Sequence, residues 1–366
     1  MYQNLDLKLE RALPRMDRQP IVWRSPSNIA LVKYWGKYGR QLPRNTSISF
    51  TLSQAYTETS VVYGMKKSRG ISIDFRFEGK PNEAFAEKIR KYLASITDIF
   101  PFLVQLHLSI KSFNSFPHSS GIASSASSMS ALALCLCSIE RQLFGSPQSD
   151  AEFWQKASYV SRLGSGSASR SVFPKLAVWG RHPEINGSSD DFALPFAHHL
   201  HPNFQEFEDA ILIVSSDTKS VSSRAGHTLM EGNPYASTRY KEANQNVLQV
   251  AEALKSGDYE SFMQVVEMEA LTLHTLMMTS SPSFILMKPN TLTIIQKIRD
   301  FRKISGHPVC FTLDAGPNVH VLYPTSSKEA VEAFIEAELL QHCEDRYWIS
   351  DRIGNGPTVV AADLLA

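Results

Sequence analysis

From residue 21 onward the chain alternates between two hydrophobic rhythms. In IVWRSPSNIALVKYWGKYGRQLPRNTSISFTLS (21–53), short β-branched and aromatic runs are split by Ser-Pro-Ser, Gly and Pro, which predicts strands joined by tight turns. Segments 57–62 and 70–77 read as an antiparallel strand pair, 82–97 as an amphipathic helix and 104–112 as a further strand. Helical spacing returns from Met129 through Leu136, and Ser149-Asp150-Ala151-Glu152 has the residues of a capping box opening a helix to about Arg162. The run 172–180, VFPKLAVWG, looks like a buried strand. Periodicity then lapses over 181–207, which marks a boundary. Beyond it come a strand at 210–214 and long amphipathic helices over 234–255, 258–278 and 289–304, with Pro282 and Pro289 as breakers. An apolar β-like stretch at 308–323, a helix at 326–341 and a short last strand complete the pattern.

Strands and helices mix without βαβ regularity, so the fold class expected is α+β in two domains, 1–205 and 206–366. No repeat, heptad or low-complexity tract interrupts it. Residues 1–20 are charged and poorly patterned, and read as a loose arm.

Composition narrows the function classes. A chain of 366 residues can bury two cores, and 43% hydrophobic with 20% charged residues fits a globular protein. With 37 basic and 36 acidic residues the net charge is +1, so no global field favours nucleic acid or a membrane, and any anion site must be local. Cys135, Cys137, Cys310 and Cys343 form no CxxC pair and fall mostly in apolar runs, as reduced core thiols of a cytoplasmic protein would. The start has no apolar signal-like run, and no segment approaches the ~18 residues of a membrane span.

The chemistry concentrates in a few segments. In KSFNSFPHSSGIASSASSMSALAL (111–134), Pro117 and Gly121 frame Ser119, Ser120, Ser124, Ser125, Ser127 and Ser128 ahead of a helix. Small residues let a ligand approach, and a helix start offers unpaired N–H groups and a positive dipole end, which suits nucleotide phosphates. The same text fits a Ser-rich surface turn before an ordinary helix, and the residues alone leave both open. Asn28, Lys33, Tyr34, Trp35 and Lys37 crowd ten positions, either as a phosphate-holding loop or as a solvated turn anchored by Trp. Gly164 and Gly166 give 164–171 the freedom to wrap a ligand with Ser165, Ser167, Arg170 and Ser171, and Arg170 can clamp a carboxylate or phosphate. Lys219, Ser222, Ser223 and Arg224 form a third cationic Ser segment. Asp314 is a lone acid between a β run and a Gly-Pro-Asn turn, and needs a partner or a task. His198, His199 and His201 match no good zinc spacing and read as surface or interface residues. Phosphoryl transfer from ATP needs cations around phosphates, a metal and a positioned base. Neither a GxxxxGK[ST] loop nor a kinase HRD set is present, which excludes the two commonest ways of doing it.

Four segments together resemble the diphosphomevalonate decarboxylase family of the GHMP kinase superfamily: NIALVKYWGK (28–37) with LPRNTSISFTL (42–52), FPHSSGIASSAS (116–127), GSGSASRS (164–171) and DAGPN (314–318). SSRAG (222–226) is a weaker fifth match. The loop is similar to the family's FPTAAGLASSAA, from which His118-Ser119-Ser120 departs. The resemblance implies a ribosomal-S-five-like N-terminal domain, a ferredoxin-like C-terminal domain and a cleft between them. It implies ATP- and Mg2+-dependent phosphorylation of the tertiary hydroxyl of mevalonate diphosphate, then loss of phosphate and CO2 to give isopentenyl diphosphate. It also implies roles: Asp314 facing that hydroxyl with Lys37 close by; Arg170 and Ser167 at the carboxylate end; Tyr34, Ser165 and Arg224 at the diphosphate; Asn28 and Lys33 bracing the substrate side. Pro117, Ser120, Gly121, Ala123, Ser124, Ser125 and Lys219 would serve ATP, with Ser125 on the metal. Thr279, where many relatives carry an acid, is assigned no role. Partners expected are the small-molecule substrate, ATP and a second copy in a homodimer. Alternatives of the same fold are a phosphomevalonate decarboxylase or a mevalonate-3-kinase, the latter disfavoured by the Asp314 and Lys37 arrangement; a non-catalytic binding module is the remaining one.

Overall fold

The computed structural model describes residues 19–361 except 69, 118–121, 198–199 and 218–220, so most of the expected N-terminal arm lies outside the described residues. The first half runs β1 (Ile21–Val32), the small hairpin β2 (Lys37–Tyr38) and β3 (Leu42–Pro43), β4 (Ser47–Met65), β5 (Ser72–Phe77), β6 (Lys80–Pro81), α1 (Glu83–Ser95), β7 (Leu106–Asn114), α2 (Ser124–Phe144), α3 (Asp150–Gly164), β8 (Leu176–Trp179) and β9 (Ala193–Pro195). The second runs β10 (Phe207–Leu212), α4 (Ser223–Thr228), α5 (Ala236–Ser256), α6 (Tyr259–Met278), α7 (Pro289–Ser305), β11 (Cys310–Leu313), β12 (Val319–Pro324), α8 (Lys328–Phe334), β13 (Trp348–Arg352) and β14 (Thr358–Val359).

One sheet has the order β14-β1-β4-β7-β5-β6, with β8 pairing the first residues of β4 and β9 pairing β8; the second sheet is β11-β12-β10-β13. The expected pairing of 57–62 with 70–77 is not formed. β7 lies between them, antiparallel to β4 and parallel to β5. A parallel pair needs a crossover, and α1, capped by Asn82 accepting the Phe85 N–H at 3.0 Å, supplies it. The capping box of α3 is complete in both directions. The glycine-bearing segment expected to wrap a ligand is instead a buried 3₁₀ turn, Gly166–Ser169, closed by the Ser169 hydroxyl on the Gly166 carbonyl at 2.8 Å. The helix expected over 326–341 is α8 continued by a π-helical turn at Ile335–Leu339.

Helix α2 is buried on most of its circumference, which explains its Ala, Cys and Ser content. Its serines divide by direction. Ser127 bonds Thr57 at 2.7 Å and Ser130 bonds Ser25 at 2.5 Å, tying the helix to the sheet, while Ser124, Ser125 and Ser128 turn towards open space. Under the sheet, Leu93, Phe100, Leu134 and Phe153 fill a core against α1 to α3. A second core is shared between the halves: Leu31, Phe50 and Val178 meet Val247, Phe207 and Phe262. Two polar devices fix the same join. β14 returns from the second half to pair with β1, and Asp351 on β13 accepts the Ser53, Gln54 and Ala55 N–H groups of β4 at 2.8, 2.8 and 2.7 Å. Burial pushes the Asp351 carboxyl up to about 6, against the pull of those N–H donors.

Removing that acceptor strands three main-chain donors. Asp351→Ala is expected to lower unfolding free energy by about 3 kcal/mol in urea titration, and Asp351→Asn by less, because its amide oxygen still accepts. A loss below ~0.5 kcal/mol would contradict the staple.

Candidate active site

A cavity of about 760 Å³ opens where the end of β1, the start of α2, the 165–170 turn, α4 and the β11–β12 connection converge. Of the residues predicted from sequence, Asn28, Lys33, Tyr34, Lys37, Ala123, Ser124, Ser125, Ser165, Ser167, Arg170, Arg224 and Asp314 all line it. Pro117 is exposed and does not, and Ser120, Gly121 and Lys219 lie outside the described residues, as do His118, His198 and His199. His201 caps a short 3₁₀ turn through the Asn203 N–H, and no cluster of His, Cys, Asp and Glu suited to a metal exists among the described residues.

The phosphate corner is built on a helix start. Ala123 sits in the left-handed region at φ 44° and ψ 42°, with no side chain capping the first turn of the 21-residue α2. Strain of this kind in a non-glycine residue collects at ligand sites, and the uncapped N–H groups face the cavity with the positive dipole end. Ser125 Oγ stands 3.2 Å from Ser165 Oγ, and Ser165 Oγ 3.5 Å from Ser167 Oγ, so hydroxyls from two segments form a continuous polar wall.

Opposite lie the acid and its cations. Asp314 begins a five-residue connection between Leu313 and Val319, which pair across the hairpin. The turn is held by the Gly316 N–H on the Asp314 carbonyl at 2.7 Å, and by Asn318 Oδ1 accepting the Val214 and Ser215 N–H groups at 2.8 and 3.0 Å. Arg170 is 2% exposed and donates only to neutral acceptors here: Ser49 Oγ at 3.0 Å, Ser47 Oγ at 2.5 Å and Asn28 Oδ1 at 3.2 and 3.4 Å. Asn28 is fixed in turn by Ser171 at 2.8 Å and the Ser167 carbonyl at 3.1 Å. Desolvation drops the Arg170 guanidinium to about 10, with the Asp314 and Tyr34 charges opposing the shift. It is therefore aimed and charged, but not neutralised by a bonded carboxylate.

Lys33 is the second buried cation, at 1% exposure. Burial lowers its ammonium to about 8, and the Asp314 carboxylate is the largest charge acting to raise it again. Lys37, expected beside Asp314, lines the same cavity. It donates to Gln41 at 2.9 Å, and the charge acting on it is Arg224. Between the two lysines, Gly36 at φ +99° leads the chain into the β2–β3 hairpin. Of the two lysines, Lys33 is the one on which the Asp314 charge is seen to act.

Tyr34 forms the floor. It lines the cavity, its buried hydroxyl has no hydrogen-bond partner among the described residues, and burial raises its pKa well above the ordinary phenol value. Gly166 is required beneath it, since a Cβ there would stand 2.8 Å from Tyr34 and Trp179. His227, not singled out in the sequence, packs in tilted contact between Tyr34 and Trp35, ring centroids 4.3 and 4.6 Å away, and accepts the Gly36 N–H at 3.0 Å. Burial drops its imidazole to about 3, so the ring is neutral, as that bond requires. An outer arm of the cavity is apolar, lined by Phe75, Phe77, Phe85, Tyr92 and Met129, with Lys88 and Lys91 beside them. Among the described lining residues, Lys33, Lys37, Lys88, Lys91, Arg170 and Arg224 accompany a single acid, Asp314, a balance that favours polyanions.

Comparison with known proteins agrees with this geometry. A family model described as "Diphosphomevalonate decarboxylase-like N-terminal domain" matches residues 25–193, and one described as "Mevalonate 5-diphosphate decarboxylase C-terminal domain" matches 210–359. The diphosphomevalonate decarboxylase of Debaryomyces hansenii is 31% identical over 322 residues, covering 84% of this chain and 80% of its own. The crystal structure of mevalonate diphosphate decarboxylase from Staphylococcus aureus superposes with a TM-score of 0.78 at 28% identity, covering 94% of this chain and 98% of that one. A structure described as "MDDEF in complex with MVAPP, AMPPCP and Magnesium" gives a TM-score of 0.77 at 28% identity over 93% and 99%. Fold and cavity thus define an enzyme of the GHMP kinase class, α+β, with a second sheet of ferredoxin-like type. Within that class, the chain belongs to the diphosphomevalonate decarboxylase family.

Two buried residues with a hold on this site also escaped sequence reading. Glu269 accepts the Lys33 N–H at 2.9 Å, and His274 bonds the Asp314 carbonyl at 3.2 Å. The signal available was an acid and an imidazole inside the apolar helical run MEALTLH.

Because Lys33 loses its proton near pH 8, its charge is present below that value and lost above it. The pH profile of kcat/KM is expected to fall on the alkaline side with a midpoint near 8. Lys33→Ala should cost ~10²–10³-fold. Lys33→Arg, active or impaired, should carry its alkaline limb above about pH 9, and an unmoved limb would remove Lys33 from the chemistry.

Proposed function

We propose that the chain catalyses ATP-dependent decarboxylation of mevalonate 5-diphosphate to isopentenyl diphosphate, CO2, ADP and phosphate, in a cleft between the halves 1–205 and 206–366. The observation that carries this reading is the single crevice in which, among the described lining residues, six cations and an uncapped helix start accompany one carboxylate. The substrate is anionic at both ends, and ATP adds further charge. Arg170 and Lys33, bonded to neutral partners, can meet such ligands without first breaking ion pairs of their own.

Ser124, Ser125 and the first N–H groups of α2 hold the ATP phosphates, and the apolar arm beside Phe75 and Tyr92 receives the base. The donor set suits Mg2+ bound chiefly through phosphate oxygens, with the Ser125 hydroxyl as the protein ligand, since that ion keeps few protein ligands in nucleotide sites. When bound, Mg2+ neutralises and orients the transferring phosphate. Arg224, Tyr34 and Ser165 take the substrate diphosphate; the orphan Tyr34 hydroxyl supports this, as it needs a polar partner. Arg170 and Ser167 orient the carboxylate, and Asn28 keeps the Arg170 fork in plane.

In the first step the tertiary hydroxyl oxygen forms a bond to the γ-phosphorus, ADP leaves, and the hydroxyl proton passes to Asp314. In the second, the new phosphate departs with its bonding pair and takes up that proton. The C–C bond to the carboxylate breaks, its electrons form the alkene, and CO2 leaves. The Asp314 carboxylate then faces the carbon where positive charge builds, and a fixed charge in a water-poor site is worth most at that moment. Arg170 binds the ground-state carboxylate, so its contribution is orientation rather than transition-state attraction.

The reading extends to a cytoplasmic setting, supported by four buried free thiols, and to the homodimer expected from the resemblance. Among the described residues no helix is long and apolar enough to cross a membrane.

Incubation with ATP, Mg2+ and, separately, mevalonate, its 5-phosphate and its 5-diphosphate is expected to release CO2 and ADP in equal amounts with the diphosphate alone. Equal or greater CO2 release from the monophosphate would reassign the substrate. ADP without CO2 would make the protein a kinase.

A further inference from the structure

The two charges at the centre of the site belong to different halves of the chain. Lys33 follows β1, and Asp314 lies between β11 and β12. Asp314 is held within its own half, but Lys33 is not: one helix of the second half grips the main chain of both. On α6, Glu269 is fully buried and accepts four donors: the Lys33 N–H at 2.9 Å, both terminal nitrogens of Arg239 at 2.6 Å, and Asn246 at 2.5 Å. Arg239 also donates to the Lys33 carbonyl at 3.3 Å, so both main-chain groups of Lys33 are held from the second half. Five residues along α6, His274 is 1% exposed and donates its Nε2–H to the Asp314 carbonyl at 3.2 Å. Between them Leu273 lines the cavity.

We infer that α6 is the alignment element of the active site, with Glu269 and His274 as positioning residues that fix the spacing of Lys33 and Asp314 through main-chain hydrogen bonds. This rests on the phosphorylation and decarboxylation reading of the cavity. A helix is stiff and rises about 1.5 Å per residue, so the two grips sit ~7.5 Å apart along its axis and neither can drift without the other. Catalysis depends steeply on such spacing: a misplacement of about 1 Å can cost ~10²-fold in rate. Neither Glu269 nor His274 is among the residues lining the cavity, so their loss should alter turnover and leave ligand affinity in place.

His274→Phe removes the bond and keeps a ring; His274→Leu serves if the Phe variant does not fold; His274→Gln keeps a donor near the Nε2 position. Each is made in the wild-type and the Asp314→Asn chain, with CO2 release measured at saturating ATP, Mg2+ and mevalonate 5-diphosphate. Expected for His274→Phe is a kcat lower by ~10–100-fold, KM for both ligands within about 3-fold, and substantial recovery in His274→Gln. In the Asp314→Asn background the same change should lower the residual rate by less than 2-fold, because its effect runs through Asp314. Equal losses in the Phe and Gln variants, a full loss persisting in the Asp314→Asn background, or a change confined to KM would overturn the assignment. A wild-type protein that releases no CO2 would overturn the functional reading itself, which separates the two failures.

Discussion

The arrangement depends on keeping opposite charges close, partly dry and unpaired by direct bonds until a ligand arrives. Asp314 acts across the cavity on Lys33 and Arg170, yet Arg170 spends its donors on Asn28, Ser47 and Ser49, and Lys33 donates to the Ala30 carbonyl. Direct ion pairs would consume the charges that substrate and transition state need. Neutral hydrogen-bond partners hold the geometry and leave the field intact. The desolvation that lowers both cations is the cost of that design, and it is repaid only when an anion enters.

The surroundings follow from this requirement. A buried, uncompensated cation is stable only if the scaffold is rigid, and the join between the halves is correspondingly over-determined. A shared apolar core, the return of β14 to β1, and the Asp351 staple on β4 all cross it. The tilted ring contacts of Trp35, His227 and Tyr34 do the same beside the reacting groups, with a neutral imidazole that adds no charge to the balance. Strain at Ala123 is tolerated for a related reason: it keeps the first turn of α2 open to the cavity, with no side chain closing it.

Much of this was legible locally. Helices with apolar periodicity and standard caps lie near their expected bounds, as with Ser149 and Glu152 of α3, because those signals sit within one turn of chain. Asp314 stood out because an acid ending a β run needs a purpose. What could not be read depended on contacts distant in sequence. The parallel pairing of β5 with β7 is set by a crossover, which strand composition does not encode. That the Asp314 charge acts on Lys33 depends on a meeting of residues about 280 positions apart, which local text does not encode. The serines of α2 look alike in the text, yet Ser127 and Ser130 fasten the core while Ser124 and Ser125 face the cavity. Glu269 and His274 resemble stray polar positions until the main chains they hold are seen.

The central claim is that the field of one carboxylate performs the chemistry while other groups bind the ligands. Asp314→Asn tests it most directly, with titration calorimetry of ATP and mevalonate 5-diphosphate beside single-turnover CO2 release. The account predicts dissociation constants within about 3-fold of wild type and a chemical step slower by at least ~10²–10³-fold. A variant that keeps its rate within tenfold, or that loses its rate only by losing its ligands, would contradict it.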